Sequence, residues 1–174
     1  MENDLDMKLY NEYLKGDKEA FEVLYNKYKS KIQYFVFNIV KDFSKAEDIT
    51  QEVFIYILQD KFKKDCSFKS YLYMVAKSRA INFVNSEKNK NKIDEAYLEK
   101  EEDMISEDIA EIITKNETRK EVLEAINKLE DKYKNALYLV KVEELSYKET
   151  AKILGKSEQN IKNLVHRGKK ELKN

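Results

Sequence analysis

The sequence predicts an all-α fold of two small helical domains joined by an acidic linker, with a helix-turn-helix near the C-terminal end. The 174 residues include no proline and only three glycines, whereas the many turns of a β-rich fold draw on both residue types. Apolar side chains recur at helical spacing on both sides of a stretch rich in acidic residues. These observations place the domains at 1–88 and 116–174 and the linker at 89–115.

Four helices are predicted in the first domain, and capping residues mark their ends. Gly16 ends the first helix, and Asp17 directly after it caps the second, which carries the widest apolar and aromatic stripe. Ser44 and Glu47 have the spacing of a capping box, which predicts that the third helix begins there. A fourth helix is predicted from about Ser70. Together the four helices are long enough to enclose one hydrophobic core.

The second domain is predicted to end in two short helices separated by a tight turn. Ser146 and Glu149 form a capping box, Gly155 supplies the positive φ of the turn, and Ser157 caps the last helix. This pattern favours the DNA-reading helix-turn-helix, whose second helix enters the major groove, over an ordinary αα-hairpin. The positions that match the pattern are Ala151, Gly155, Ile161 and Leu164.

The last helix is predicted to expose a polar and basic face that reads DNA. Asparagine and glutamine side chains suit adenine, whereas arginine and lysine suit guanine or phosphate. The candidate reading residues are Ser157, Gln159, Asn160, Lys162, Asn163, His166, Arg167 and Lys170.

The charges are balanced in number but not in position. There are 33 basic and 33 acidic residues, yet the stretch 61–92 and the last helix are mostly basic, and the stretch 93–111 is mostly acidic. Two basic blocks indicate two contacts with a polyanion, and the acidic block between them indicates a solvated linker. Charge alone is equally consistent with three solvated helix faces.

Residue counts exclude several functional classes. His166 is the only histidine and Cys66 the only cysteine, so no disulfide within the chain, zinc site or catalytic cluster is expected. Three glycines at these positions cannot form a phosphate-binding glycine loop. We therefore expect neither an enzyme nor a cofactor. The polar N-terminus and the shortness of the most apolar stretch, Tyr34–Val40, predict a cytoplasmic protein without a membrane span.

Four segments in order resemble the bacterial RNA polymerase sigma factors of the small extracytoplasmic-function type. They are Gly16–Tyr25, Ala46–Phe54 (AEDITQEVF), Tyr71–Lys77 and Leu145–Leu172. The chain departs from the family where Tyr71 replaces a usual tryptophan and where Gln159-Asn160 replaces a common Gly-Thr pair.

The resemblance implies a protein that binds core RNA polymerase and directs promoter recognition, DNA melting and transcription initiation. Core polymerase and promoter DNA are the implied partners, and the family allows an anti-sigma factor as a third. The implied polymerase-binding residues are Asp48, Gln51, Glu52 and Phe54. The last helix would read the minus-thirty-five element, and the implied minus-ten residues are Lys69, Tyr71, Tyr73, Lys77, Ser78 and Arg79.

The aromatic residues of the first basic block have two interpretations. Phe62, Phe68, Tyr71 and Tyr73 are candidates for stacking on single-stranded bases, and core packing is the alternative.

Two other functions of the whole protein also remain open. A stand-alone helix-turn-helix regulator would bind duplex operator DNA without polymerase, although it has no need of the Asp48–Phe54 segment. A helical interaction protein is disfavoured by the two basic blocks.

Overall fold

The computed structural model describes residues 2–59, 62, 65–90 and 117–173, and the regular structure in these ranges is entirely helical. The all-α prediction is therefore confirmed. The predicted linker at 89–115 lies outside the described residues, apart from the last two positions of α4. The elements are α1 (Glu2–Leu14), α2 (Lys18–Val40), α3 (Phe43–Leu58), α4 (Phe68–Lys90), α5 (Glu117–Asn127), α6 (Asp131–Leu137), a π-helical segment (Tyr138–Val142), α7 (Tyr147–Leu154) and α8 (Glu158–Lys173).

The predicted capping residues are found at α2 but not at α3. Asp17 Oδ1 accepts hydrogen bonds from the backbone N–H groups of Glu19 (3.0 Å) and Ala20 (3.3 Å). The capping box predicted at Ser44 is wrong, because α3 begins two residues earlier than a Ser44 cap would place it, and Asp42 caps it by accepting from the N–H of Lys45 (3.1 Å). Two carboxylates therefore stabilise the free N–H groups at the starts of these helices.

The central helix of the fold is α2, which contacts α1, α3 and α4 along its length. The consecutive residues Tyr34, Phe35, Val36 and Phe37 are all buried. A helix that is apolar on all sides needs neighbours on all sides. The helices that cover the C-terminal end of α2 come from both parts of the chain, because α6 also packs against it.

One hydrophobic core runs through both parts of the chain. We call α1–α4 the N-terminal half and α5–α8, with the π-helical segment, the C-terminal half. The ring of Tyr138 lies 5.0 Å from that of Tyr34, measured between centroids, and 6.4 Å from that of Tyr73. The hydroxyl of Tyr34 donates to Asn127, and burial raises the pKa of Tyr34 to about 12. The two halves are thus packed together, a relation that the sequence left open.

The helix-turn-helix has the predicted local geometry. Ser146 accepts from the N–H of Glu149 (3.0 Å), and the Glu149 carboxylate accepts from the N–H of Ser146 (2.9 Å), which completes the capping box. Gly155 ends α7 with φ of 64°, a left-handed conformation that favours glycine. Ala151 is buried where α7 and α8 pack together. Each of these features was predicted.

Candidate polymerase and nucleic-acid interfaces

The helix α3 exposes an acidic and polar face. Asp48, Gln51 and Glu52 are all exposed, and spacings of three and four residues place them on one side of the helix. The opposite side, with Ile49 and Val53, is buried. The exposed side is therefore a surface on which a basic partner can dock.

Phe54 does not belong to that surface. Its side chain is only 2% exposed, and its ring packs against those of Tyr25 (4.9 Å) and Phe21 (6.2 Å). The prediction that Phe54 contacts polymerase is therefore corrected, because a side chain buried against α2 offers no surface to a partner. Its aromatic pairs instead hold α3 against α2.

An open groove of about 810 Å³ separates α3 from α4. It brings two predicted sites together, because Asp48 and Glu52 line one wall and Tyr71 and Arg79 line the other. A guanidinium nitrogen of Arg79 lies 3.8 Å from the carboxylate of Glu52. Ser78, also predicted to contact DNA, is exposed at the same groove.

Tyr71 is the aromatic residue of α4 that lines this groove. Its side chain is half-buried, and its ring packs 4.9 Å from that of Phe62. Burial, followed by a hydrogen bond with Tyr56, raises the pKa of Tyr71. The phenol is therefore neutral at physiological pH, so it adds no negative charge that would repel a nucleic acid. The guanidinium of Arg79 lies 5.2 Å from the Tyr56 ring, so the groove also contains a cation above an aromatic face.

The other aromatic candidates are core residues. Tyr73 and Phe68 are 0% exposed and Phe62 is 6% exposed. Of the two interpretations of these three residues, their burial supports core packing, and the prediction that Tyr73 contacts minus-ten DNA is corrected accordingly. Desolvation, with the nearby Glu143 carboxylate as the next cause, raises the pKa of Tyr73 well above its usual value, so its hydroxyl stays protonated.

The two lysines of α4 that were predicted to contact minus-ten DNA, Lys69 and Lys77, face the C-terminal half. The Lys69 ammonium lies 3.3 Å from the carboxylate of Glu143 and also donates to the Glu143 carbonyl, so it does not line the groove. Lys77 borders a separate cleft of about 310 Å³, together with Lys152 and Gly155. Burial and then the nearby charge of Lys156 lower the pKa of Lys77. In this arrangement both lysines therefore lie beside other parts of the same chain.

The helix α8 presents its predicted reading face to solvent. Ser157 Oγ accepts from the N–H of Asn160 (3.1 Å), which caps the helix. Gln159 Nε2 donates to Asn163 Oδ1 (3.1 Å), so two candidate readers hold each other in position. All eight candidates are exposed: Ser157, Gln159, Asn160, Lys162, Asn163, His166, Arg167 and Lys170.

The buried side of α8 includes a glycine whose role the sequence analysis missed. A Cβ at Gly168 would lie 2.6 Å from Leu137 Cδ1 and 3.3 Å from Tyr133 Cβ. The missing side chain therefore allows α8 to approach α6 closely. The position of a glycine in the interior of a predicted helix is the signal that could have revealed this contact.

Within the ranges that the structure describes, no group of three or more histidine, cysteine, aspartate or glutamate side chains is placed to hold a metal ion. None of the described helices combines the length and the apolar character needed to cross a bilayer.

The fold defines a class of protein: an all-helical protein with a helix-turn-helix of the DNA-binding type. The sequence matches the family model for Sigma-70 region 2 over residues 24–90 and the model for Sigma-70 region 4 over residues 119–172. It is 30% identical over 168 residues to the ECF RNA polymerase sigma factor SigW of Bacillus subtilis, covering 91% of this chain and 90% of SigW. It is also 30% identical over 164 residues to SigM of the same organism, covering 88% of this chain and 93% of SigM.

Solved structures share the fold. CnrH, solved in complex with the cytosolic domain of CnrY, superposes with a TM-score of 0.63 at 17% identity, covering 97% of this chain and 95% of CnrH. RpoE of Bartonella quintana, solved with the anti-sigma factor NepR, superposes with a TM-score of 0.59 at 16% identity, covering 87% of this chain and 93% of RpoE.

The chain belongs to the ECF RNA polymerase sigma factors. It directs promoter recognition by RNA polymerase, and the alternative of a stand-alone regulator has no support.

Proposed function

We propose that this sigma factor divides its work among three surfaces. The exposed face of α3 binds core polymerase through Asp48, Gln51 and Glu52. The groove between α3 and α4 holds the melted minus-ten strand, and α8 reads the minus-thirty-five element. The observation that carries the proposal is the groove itself. Glu52, a predicted polymerase contact, lies on one wall, and Arg79, a predicted DNA contact, lies on the other, and a salt bridge joins the two side chains.

The groove is suited to a single unstacked base. Tyr71 offers a neutral aromatic face, and Arg79 adds a cation that attracts phosphate. Removing a base from a duplex costs a few kcal/mol, and stacking on an aromatic side chain recovers roughly 1–3 kcal/mol per base. One aromatic residue therefore captures a base that polymerase has already begun to separate, and this capture is the contribution to DNA melting.

The helix α8 is suited to duplex DNA. Its capped N-terminus and basic C-terminal turn leave the polar readers between them, and the lysines Lys170 and Lys173 lie in the last turn. Base contacts give sequence preference, whereas basic residues contribute affinity through phosphate. We assign base contacts to Lys162 and Asn163 and phosphate contacts to Arg167 and Lys170.

Two further features complete the proposal. Because RpoE, which shares this fold, was solved with the anti-sigma factor NepR, we propose an anti-sigma factor as a third partner. Because bacterial core polymerase acts in the cytoplasm, we place the protein there as well.

Run-off transcription with purified core polymerase tests the assignment of the α3 face. Wild-type protein should start transcripts at its promoter, whereas Asp48→Arg with Glu52→Arg should abolish both core binding in a pull-down and the transcripts. Reversing two charges on one helix face replaces attraction to a basic surface with repulsion.

The matched control is Glu121→Arg with Glu124→Arg, which makes the same change in charge at two exposed positions of α5. It should leave core binding unchanged. If the α3 variant still pulls down core polymerase as the wild type does, the polymerase surface has been assigned to the wrong helix.

A further inference from the structure

The cleft between α4 and α7 is positively charged. Its volume is about 310 Å³, and its lining comes from α4 on one side and from α7 and the turn after it on the other. The lining residues are Met74, Lys77, Ser78, Ile81, Asn82, Lys152, Ile153 and Gly155. None of these described residues is acidic, although the chain as a whole has as many acidic as basic residues. The cleft therefore differs in charge from the rest of the molecule.

Lysines from both walls concentrate the positive charge. Lys77 belongs to α4, Lys152 to α7, and Lys156 follows α7. The ammonium of Lys77 extends toward the end of α7, where a Cβ added at Gly155 would lie 3.6 Å from its Nζ. Burial, and then the charge of Lys156, lower the pKa of Lys77, so the two ammonium groups repel each other. An anion bound between them would replace this repulsion with attraction.

Within the described part of the chain, these three lysines have no acidic partner. The ion pairs found there involve other basic residues. Glu149, the acid of α7 three positions before Lys152, is already engaged. Its carboxylate accepts from the N–H of Ser146 (2.9 Å) and from the hydroxyl of Ser67 (3.2 Å). Positive charges gathered in a concave surface without acids attract an anion.

The remainder of the lining suits an aromatic ring. Met74, Ile81 and Ile153 provide apolar surface, and a methionine thioether packs favourably against such a ring. Ser78 and Asn82, both exposed, add groups that donate and accept hydrogen bonds, and an asparagine amide can pair with the edge of adenine. Small-molecule sites combine apolar walls with a few polar groups and span roughly 300–1,000 Å³. The cleft lies at the small end of that range, which indicates a ligand the size of one nucleotide.

We propose that the cleft between α4 and α7 binds an adenine mononucleotide. The phosphate of the nucleotide lies among the three lysines, and its base packs on the apolar surface with one edge toward Asn82. This site is distinct from the polymerase face of α3 and from the reading face of α8. It does not depend on the DNA contacts proposed for those helices, so either proposal can fail without the other.

Calorimetric titration of the full-length protein with adenosine 5′-monophosphate (AMP) tests the site. Ribose 5-phosphate, adenosine and inorganic phosphate each supply only part of the ligand. AMP should bind at one site per chain and at least about tenfold more tightly than each of the three, because it alone offers both the charge and the ring. Absence of AMP binding would overturn the proposal. Equal affinity for AMP and inorganic phosphate would also overturn it, because the cleft would then attract any small anion.

Two variants locate the bound nucleotide in this cleft. Lys152→Ala with Lys156→Ala removes two exposed charges and should weaken AMP binding by at least about tenfold. Ile81→Glu places a carboxylate at a lining position that is 38% exposed, and it should abolish binding by repelling the phosphate. Ser78 and Asn82 are left unchanged because they also line the groove between α3 and α4.

The matched control is Lys15→Ala with Lys18→Ala, which removes the same charge at two exposed positions outside the cleft. It should bind AMP as the wild type does, and circular dichroism confirms that all variants are folded. Wild-type affinity for AMP in both folded cleft variants would overturn the assignment to this cleft.

The backbone of promoter DNA is the other source of a phosphate, and a short single-stranded oligonucleotide distinguishes it from a free nucleotide. The Lys152 and Lys156 double variant should lose affinity for AMP while its affinity for the oligonucleotide stays unchanged. Loss of affinity for the oligonucleotide alone would overturn the proposal, because the lysines would then be contacts for DNA.

Discussion

The two helices assigned to DNA differ in how many of their sides are covered. On α8 every predicted reading residue is exposed, and only the side with Ile161, Val165 and Gly168 is buried. On α4, by contrast, Tyr73 is fully buried and Lys69 is paired with a carboxylate, because α4 packs against α1, α2 and α3 and also against α7. A helix that is covered on one side has a single apolar stripe, which the sequence shows directly. A helix that is covered on several sides has no single stripe, so the sequence does not show which residues are buried.

The largest expected effect distinguishes the two tyrosines of α4. Tyr73→Ala should lower the free energy of unfolding by roughly 3–5 kcal/mol, the range for removing a buried aromatic side chain. Tyr71→Ala, at a half-buried position, should cost about 1 kcal/mol and should instead weaken binding to a single-stranded minus-ten oligonucleotide, by roughly 1–3 kcal/mol. Urea denaturation and fluorescence anisotropy measure the two quantities.

The contrast between α4 and α8 would fail if the two variants behaved alike. Equal, small losses of stability would place Tyr73 at the surface. Equal losses of DNA affinity at unchanged stability would restore Tyr73 as a DNA contact. Tyr71→Phe is the control, since it keeps the ring and should retain most of the affinity.

The next effect concerns the kind of contact that α8 makes. Lys162→Ala or Asn163→Ala should cost about 1–3 kcal/mol at the cognate minus-thirty-five duplex and relax the preference at one or two positions. Arg167→Ala or Lys170→Ala should weaken binding to cognate and scrambled duplexes alike and flatten the salt dependence, because phosphate contacts release counterions. Affinities at several salt concentrations separate the two groups. Equal losses on both duplexes for the Lys162 and Asn163 variants would mean that α8 does not read bases.

The sequence predicted the parts of the fold that depend on local interactions. Asp17, Ser146, Gly155 and Ser157 each act on backbone within a few residues, so their patterns were sufficient. The exposed face of α8 was also predictable, because the helix-turn-helix packs one side of it and the polar residues mark the other. The failure at α3 was small: Asp42 and Ser44 are both capping residues, and the pattern alone did not decide between them.

Contacts between distant parts of the chain could not be predicted in this way. Tyr73 and Tyr138 are 65 positions apart, and Lys69 and Glu143 are 74 apart. A lysine and a tyrosine on a basic helix are typical of a nucleic-acid surface. Only the folded structure shows that Glu143 and Tyr138, from a distant part of the chain, cover them. The π-helical turn over Tyr138–Val142 was missed for a similar reason, since the same residues also fit a continuous α-helix.

The smallest effect tests the one local prediction that failed. Ser146→Ala should destabilise the protein by about 1 kcal/mol, because it removes the hydroxyl that accepts from the N–H of Glu149 at the start of α7. Asp42→Ala should cost a similar amount at α3. Ser44→Ala should change the free energy of unfolding by less than about 0.5 kcal/mol, because Ser44 lies inside α3 with an exposed side chain. Urea denaturation of the three variants ranks the caps directly. A cost at Ser44 equal to that at Ser146 would move the start of α3 back to the capping box that the sequence predicted.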